Sequence, residues 1–254
     1  MIINCSGSPQ VLVGRKYQQL SHQTGVTVTT QTSVERLHWL VESSTTWQGP
    51  MSVVVFVPDK EFDVAQFYIS YLRSCFSNIR DNVAWSLVHP VTRPPRAANI
   101  NMKTWGPLAC SDHRTSLASL VSALYSKEYA QWRTGYDYPQ NHLRNIARDN
   151  SLTHYTLSLD VDVILAPGEW QHQLESSNDI PRLTDLTVAL AKFLNGNTCV
   201  KCAFVIPTYE IHQAAPRPDN KEQLAELVSR KKAQPFHSKI FVHNQFATNF
   251  SRLT

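Results

Sequence analysis

No run of apolar residues approaches the roughly 18 that a membrane-spanning helix needs. Met1 to Leu12 also lacks the basic region and apolar core of a secretory leader. As it stands, the chain is expected to be soluble and to carry no address. Basic residues are scattered rather than gathered, the formal charge is only +4, and 17% of residues are charged. That excludes the basic stripe of a nucleic-acid binder. Cys199 and Cys202 form a lone C-x-x-C with no second pair to complete a zinc site, so a structural role is expected for them. With Cys5, Cys75 and Cys110 the cysteines make an odd set, in a chain too large to depend on a disulfide framework. No internal repeat and no linker break the sequence.

What is present is material for a core. A hydrophobic content of 42% over 254 residues fills one large α/β domain or two small ones. The order of local patterns is strand, helix, strand, helix. From Gly25, Val26 and Val28 alternate with threonines, and Thr32-x-x-Glu35 reads as a capping box opening a helix with Val34, Leu37, Leu40 and Val41 inward. Ser52 to Val57 is a β-branched run, as in a strand buried on both faces of a parallel sheet. Val64, Phe67, Tyr68, Tyr71, Leu72 and Cys75 make one apolar helical stripe, and Val83 to Val88 is a third strand.

His89 to Pro107, with prolines at 90, 94, 95 and 107, reads as a long surface loop. A helical region over Thr115 to Trp132 follows. Tyr138-Pro139 opens another helix carrying Leu143, Ile146 and Ala147 on one face. His154 to Leu159 is the next strand, Leu183 to Leu194 a helix stopped by Asn195-Gly196, and Val200 to Ile206 a further strand. Asp219-x-x-Glu222 caps a helix bearing Leu224, Leu227 and Val228. Strands alternating with amphipathic helices mean an α/β fold with a mostly parallel sheet, and such sheets bind ligands at the carboxyl ends of their strands.

One carboxyl end stands out. Tyr155 to Leu159 runs directly into Asp160-Val161-Asp162. If the chain stays extended there, both carboxylates point to one side while Val161 faces the core. Magnesium or manganese held by such a pair keeps positions open for phosphate oxygens and offsets charge on a departing nucleotide. The slight positive balance of the chain suits a diphosphate, although such a balance often has no particular cause. Two other readings of the segment stand. An acidic pair at a strand end caps a following turn. Asp160 to Leu165 also matches the opening motif of haloacid-dehalogenase-like phosphatases, with Asp160 as nucleophile, although those enzymes place it on their first strand.

Several blocks together resemble glycosyltransferase family 49. They are Thr30-Gln31-Thr32-Ser33, Trp47-Gln48-Gly49-Pro50, and Tyr138 to Arg148 with its Pro-Gln-Asn-His-Leu-Arg-Asn string. Leu159 to Asp162, Val205 to Ile211, Asn220-Lys221, Pro235-Phe236 and Gln245 to Phe250 continue the series. The resemblance covers nearly everything from Val26 onward and is nearest to the β-1,4-glucuronyltransferase branch. It implies a single GT-A-like domain over 1–254, UDP-glucuronic acid as donor, manganese (or magnesium) as cofactor, and inversion at the transferred sugar. It further implies a xylose-bearing acceptor such as the O-mannosyl glycan of α-dystroglycan, and residence in the Golgi lumen beside a possible partner glycosyltransferase.

By position in the family, Asp160 and Asp162 would ligate the metal, and a turn at Thr30, Gln31 and Thr32 would lie near the nucleotide. Arg144 is placed near the phosphates or the glucuronate carboxylate, since a guanidinium binds an oxyanion at two points; its alternative is to brace its helix against Asp149 or the triplet. Glu210 is the candidate base for the acceptor hydroxyl, with acceptor binding and structure as alternatives. Arg230-Lys231-Lys232 complements the end of its helix. Family members continue past the Thr-Asn-Phe block to a histidine that completes the metal site, and they carry an amino-terminal anchor, so the chain is expected to be truncated at both ends. His237 and His243 do not occupy the matching place. A relative that binds a nucleotide-sugar without turning it over, or that assists a partner enzyme, is the resulting alternative.

Overall fold

A computed structural model describes residues 10–98, 109–165, 185–197, 201–238 and 250. The chain divides into two compact units, Met1–Leu165 and Ala166–Thr254. In the first, β1 (Gln10–Leu12) and α1 (Tyr17–Thr24) precede β2 (Val26–Ser33), a short 3₁₀ turn (Val34–Arg36) and α2 (Trp39–Thr46). Then come β3 (Met51–Phe56), α3 (Glu61–Cys75), α4 (Ser77–Asn82) and β4 (Val83–Val88). Helices α5 (His113–Leu124), α6 (Lys127–Gly135) and α7 (Gln140–Asp149) lead to β5 (Tyr155–Ser158). The sheet order is β1-β4-β3-β2-β5, with β2 to β5 parallel and β1 antiparallel on the edge beside β4. This is the mixed α/β architecture with a mostly parallel sheet expected from the alternating patterns, and it is consistent with the GT-A-like fold that the resemblance implies.

The burial explains why the patterns were informative. Every residue of β3 is buried, because its two faces meet different layers. Val54 and Phe56 pack on Leu143 and Ala147 of α7, and α3 buries Val64, Tyr68, Tyr71 and Leu72 along its predicted stripe. Gly25, in the left-handed region at φ 68°, ends α1 and turns the chain into β2.

The expected capping box at Thr32 is not formed. Strand β2 continues through Ser33 beside β3, the Thr32 hydroxyl donates to the Ser33 carbonyl at 3.0 Å, and Ser33 Oγ donates to Glu35 at 2.6 Å. Strand pairing across to Phe56 wins over the local cap, so α2 begins only at Trp39. The expected helix over Thr115 to Trp132 is two helices, because Ser126 starts a new one by accepting from the Tyr129 backbone N–H at 3.2 Å.

A covalent link was not foreseen. Cys75 at the end of α3 is disulfide-bonded to Cys110, 35 residues on. Closing a loop of that length restricts the unfolded chain. A Cys75→Ser variant is expected to lose about 3 kcal/mol of unfolding free energy, read from urea denaturation. A change below about 0.5 kcal/mol would mean that the unfolded chain gains little freedom when the bridge is cut.

The second unit holds α8 (Asp185–Asn195), β6 (Tyr209–Ile211), α9 (Lys221–Ser229) and β7 (Ala233–Pro235), with β6 and β7 antiparallel. Helix α8 stops at Asn195 as expected, while Leu183 lies outside the described residues. The strand expected at Val200 to Ile206 is corrected. Residues 201–206 form no ladder, and Val205 is 67% exposed; the paired strand begins at Tyr209. An apolar run becomes a strand only where a partner edge meets it. The cap of α9 is shifted by one residue: Asn220 accepts from the Gln223 N–H, and the Gln223 side chain accepts from the Asp219 N–H. Cys202 is disulfide-bonded, in keeping with a structural rather than metal role.

Candidate functional site

Topology selects one place on the first unit. From β2 the chain moves through β3 to β4 on one side, and β5 then pairs on the opposite side of β2. The order therefore reverses between β2 and β5, and such a switch opens a crevice at the carboxyl ends of the strands. β5 pairs with β2 only as far as Ser158 opposite Thr29, and the Leu159 N–H then donates to the Thr29 carbonyl at 3.1 Å. Thr30 to Ser33 continue beside β3, next to the point where Asp160-Val161-Asp162 leaves the sheet.

The triplet is not extended as expected. The Val163 N–H donates to the Asp160 carbonyl at 2.9 Å, which closes a four-residue turn, and aspartate is favoured at the first position of such turns. Alternation of side chains along a strand therefore does not set the directions of the two carboxylates. Val161 does face the core at 4% exposure, and its carbonyl accepts from Ser43 Oγ of α2 at 3.2 Å. This anchors the turn from below. The side chains of Asp160 and Asp162 are 42% and 40% exposed.

Each carboxylate meets a guanidinium. Arg144 of α7 donates to Asp160 at 2.6 Å, so of its alternatives the brace against the triplet is the contact seen. Arg36, at the end of the 3₁₀ turn after β2, donates to Asp162 at 2.5 Å. Sequence reasoning missed Arg36. Its signal was a basic residue just after a strand that ends at the ligand edge.

Thr30, Gln31 and Thr32 lie within β2, not in a turn after it, and all three are buried. Strand alternation separates them. Thr30 borders a small cavity of about 10 Å³ together with Asp160, Val161, Leu40, Ser43 and Trp47, and its hydroxyl has no hydrogen-bond partner. That volume is about that of one water probe. Gln31 accepts from the Tyr138 hydroxyl, just ahead of α7. Of the three, Thr30 is the one brought against the triplet.

A second polar cluster, also missed, sits beyond the carboxyl end of β3. Glu61 is wholly buried, and its Oε1 accepts from the hydroxyls of Tyr125 (3.2 Å) and Tyr129 (3.0 Å) and from Arg133 Nε (3.3 Å). Arg133 also reaches Glu35 at 4.0 Å and lies over the Phe56 ring at 5.2 Å. Burial pushes the Glu61 carboxyl up to about 7; Arg133 opposes that shift, and nearby Glu35 adds to it. Burial also raises the Tyr138 hydroxyl.

Glu210 lies on β6 of the second unit, where its two oxygens accept from Gln234 Nε2 and the His237 N–H, each at 2.9 Å. It ties β6 to β7 and to the turn that follows. Arg230, the residue that follows α9, pairs with Glu226 of that helix at 2.6 Å. His243 lies outside the described residues, and among the described residues no group of three or more His, Cys, Asp or Glu side chains is placed to hold a metal ion.

Comparison with known proteins gives the family of the chain. The profile of a family described as "Glycosyl-transferase for dystroglycan" matches residues 25–254. The chain is 31% identical over 235 residues to beta-1,4-glucuronyltransferase 1 of Homo sapiens, covering 89% of this chain and 50% of that protein. It is 25% identical over 228 residues to the glycosyltransferase-like protein gnt14 of Dictyostelium discoideum, covering 89% of this chain and 26% of that one. To xylosyl- and glucuronyltransferase LARGE2 of Rattus norvegicus it is 23% identical over 241 residues, with coverage of 92% and 26%. The chain thus spans half the length of the glucuronyltransferase it resembles.

Proposed function

The chain belongs to the glycosyltransferase family described for dystroglycan, and from that membership we propose that it transfers glucuronic acid from UDP-glucuronic acid to a xylose-bearing glycan, with inversion. The observation that supports this most is the Asp160-Val161-Asp162 turn at the switch point of a parallel sheet, beside the end of β2. The donor set fits manganese or magnesium. Two partly exposed carboxylates on one turn suit a hard cation that keeps positions open for water and phosphate oxygens. When bound, that cation supplies charge neutralisation at the departing UDP.

The remaining steps fall to side chains. Asp160 and Asp162 are the metal ligands in this proposal, and Arg144 moves from Asp160 onto a donor oxyanion. The unpartnered Thr30 hydroxyl supplies a hydrogen bond at the same edge, whereas Gln31 is held by Tyr138 and the Thr32 hydroxyl by the Ser33 carbonyl. Both Glu210 oxygens are engaged, by Gln234 and by the His237 N–H, which favours its structural alternative within the second unit over the part of base. Disulfides at Cys75–Cys110 and at Cys202 suit an oxidising compartment such as the Golgi lumen. Among the described residues no helix is long and apolar enough to cross a membrane.

A second reading is a relative that binds a nucleotide-sugar without turnover. It is favoured by the arginine already seated on each carboxylate. The two readings separate when the protein is incubated with manganese, UDP-glucuronic acid and a xylose-terminated acceptor. Release of UDP dependent on both acceptor and metal is the expected result. Binding of UDP without release selects the second reading, and no binding of UDP overturns both.

A further inference from the structure

Arg36 has no role in the reaction proposed above, yet it holds one of the two carboxylates on which that reaction depends. It donates to Asp162 Oδ2 at 2.5 Å, while Arg144 donates to Asp160 Oδ1 at 2.6 Å. The four side chains sum to zero formal charge. Neither contact is locked in. Arg36 and Asp162 are 48% and 40% exposed, and ion pairs open to solvent contribute little, so exchange of partners is inexpensive.

Charge then dictates an order of preference. A divalent cation arriving alone meets a set already neutralised by two guanidinium groups. A nucleoside diphosphate arriving alone meets two carboxylates. If both arrive, the cation's two positive charges offset most of the negative charge of the diphosphate, and each of the four side chains gains an opposite partner. We propose that Arg36 is an exchangeable ligand of this site, one that neutralises Asp162 until a divalent cation takes that carboxylate and then binds the phosphates of a nucleoside diphosphate. Cation and diphosphate therefore bind cooperatively. The position of Arg36, on the turn that leaves β2 at the ligand edge, lets its guanidinium pass from carboxylate to phosphate by side-chain rotation, with five N–H donors to offer. The inference rests on the proposed donor site and adds a residue and a binding order to it.

The test is manganese binding, followed by the paramagnetic signal of free Mn²⁺ with and without UDP, and UDP binding by calorimetry. In the unaltered protein, saturating UDP is expected to tighten manganese by about tenfold or more, and manganese to tighten UDP by the same factor, because coupling between two ligands is reciprocal. Arg36→Gln removes the competing cation and the phosphate ligand together. It is expected to bind manganese alone about threefold to tenfold more tightly, to bind UDP more weakly, and to lose most of the coupling. Arg36→Lys keeps the charge and is expected to hold manganese affinity within about twofold of the unaltered value. A manganese affinity that is unchanged or weaker in Arg36→Gln overturns the exchange role, as does intact coupling in that variant. If the unaltered protein binds neither manganese nor UDP, the proposed donor site itself fails and this role falls with it. If it binds both and only the variant behaves unexpectedly, the donor site stands.

Discussion

Asp162→Asn is expected to lower UDP release from UDP-glucuronic acid by about a hundredfold or more, and Asp160→Asn by a similar factor, at saturating manganese. The reason is chemical rather than architectural. An amide keeps the size of the carboxylate and its place in the turn, but it is neutral and a far weaker ligand for a hard cation. The carboxylates are about two-fifths exposed, so losing the surface pairs to Arg36 and Arg144 costs about 1 kcal/mol or less. Thermal unfolding is therefore expected to move by only about 4 °C or less while activity collapses. A variant keeping more than about a tenth of the unaltered rate would remove the triplet from the chemistry, since metal-assisted charge stabilisation is worth several kcal/mol.

The largest effect on stability is expected at Glu61. Truncation in Glu61→Ala strips Arg133 of its buried partner and takes the acceptor from the Tyr125 hydroxyl, while the Tyr129 hydroxyl keeps the Pro58 carbonyl at 3.2 Å. The expected loss is about 3 to 5 kcal/mol at pH 8, measured by urea unfolding. The pH dependence has a definite sign. Burial raises the carboxyl from its ordinary value of 4.5 to about 7 in the folded protein. Between those values the folded chain holds a proton that the unfolded chain has released, so stability falls as pH rises through that window. The contribution is fully present below pH 4.5 and gone above about 7, a span of up to about 3 kcal/mol. Glu61→Gln cannot titrate, so subtracting its unfolding curve from that of the unaltered protein isolates the effect. Parallel curves from pH 4.5 to 7 would show that Glu61 ionises in the folded protein as it does in water.

Much of the first unit was legible because its residues declare their burial locally. Val53, Val54 and Val55 pack on both sides, which a β-branched run announces, and the α3 stripe repeats with the period of the helix whose face it covers. The triplet's place was legible from alternation instead, since Tyr155, Leu157 and Leu159 alternate with polar residues up to Asp160, and β5 has a half-buried and an exposed face. The second unit was less so. Phe204, Val205 and Ile206 look like a strand but pair with nothing in the β6–β7 sheet, and hydrophobicity does not say which edge a segment will find.

The sequence by itself determined the alternation of strands and helices, the acidic triplet at a strand end and, through its distributed blocks, membership in the glycosyltransferase family. Tertiary structure decided the rest. It folded the triplet into a turn, set Arg36 on Asp162 across 126 residues, drew Cys75 to Cys110, and buried Glu61 beneath Tyr125, Tyr129 and Arg133. Periodicity records which face of an element is covered, whereas partners far apart in the chain are chosen by sheet order and register. β5 crosses to the far side of β2 and stops at Thr29, so the triplet emerges beside Thr30 and within reach of the arginine that follows β2.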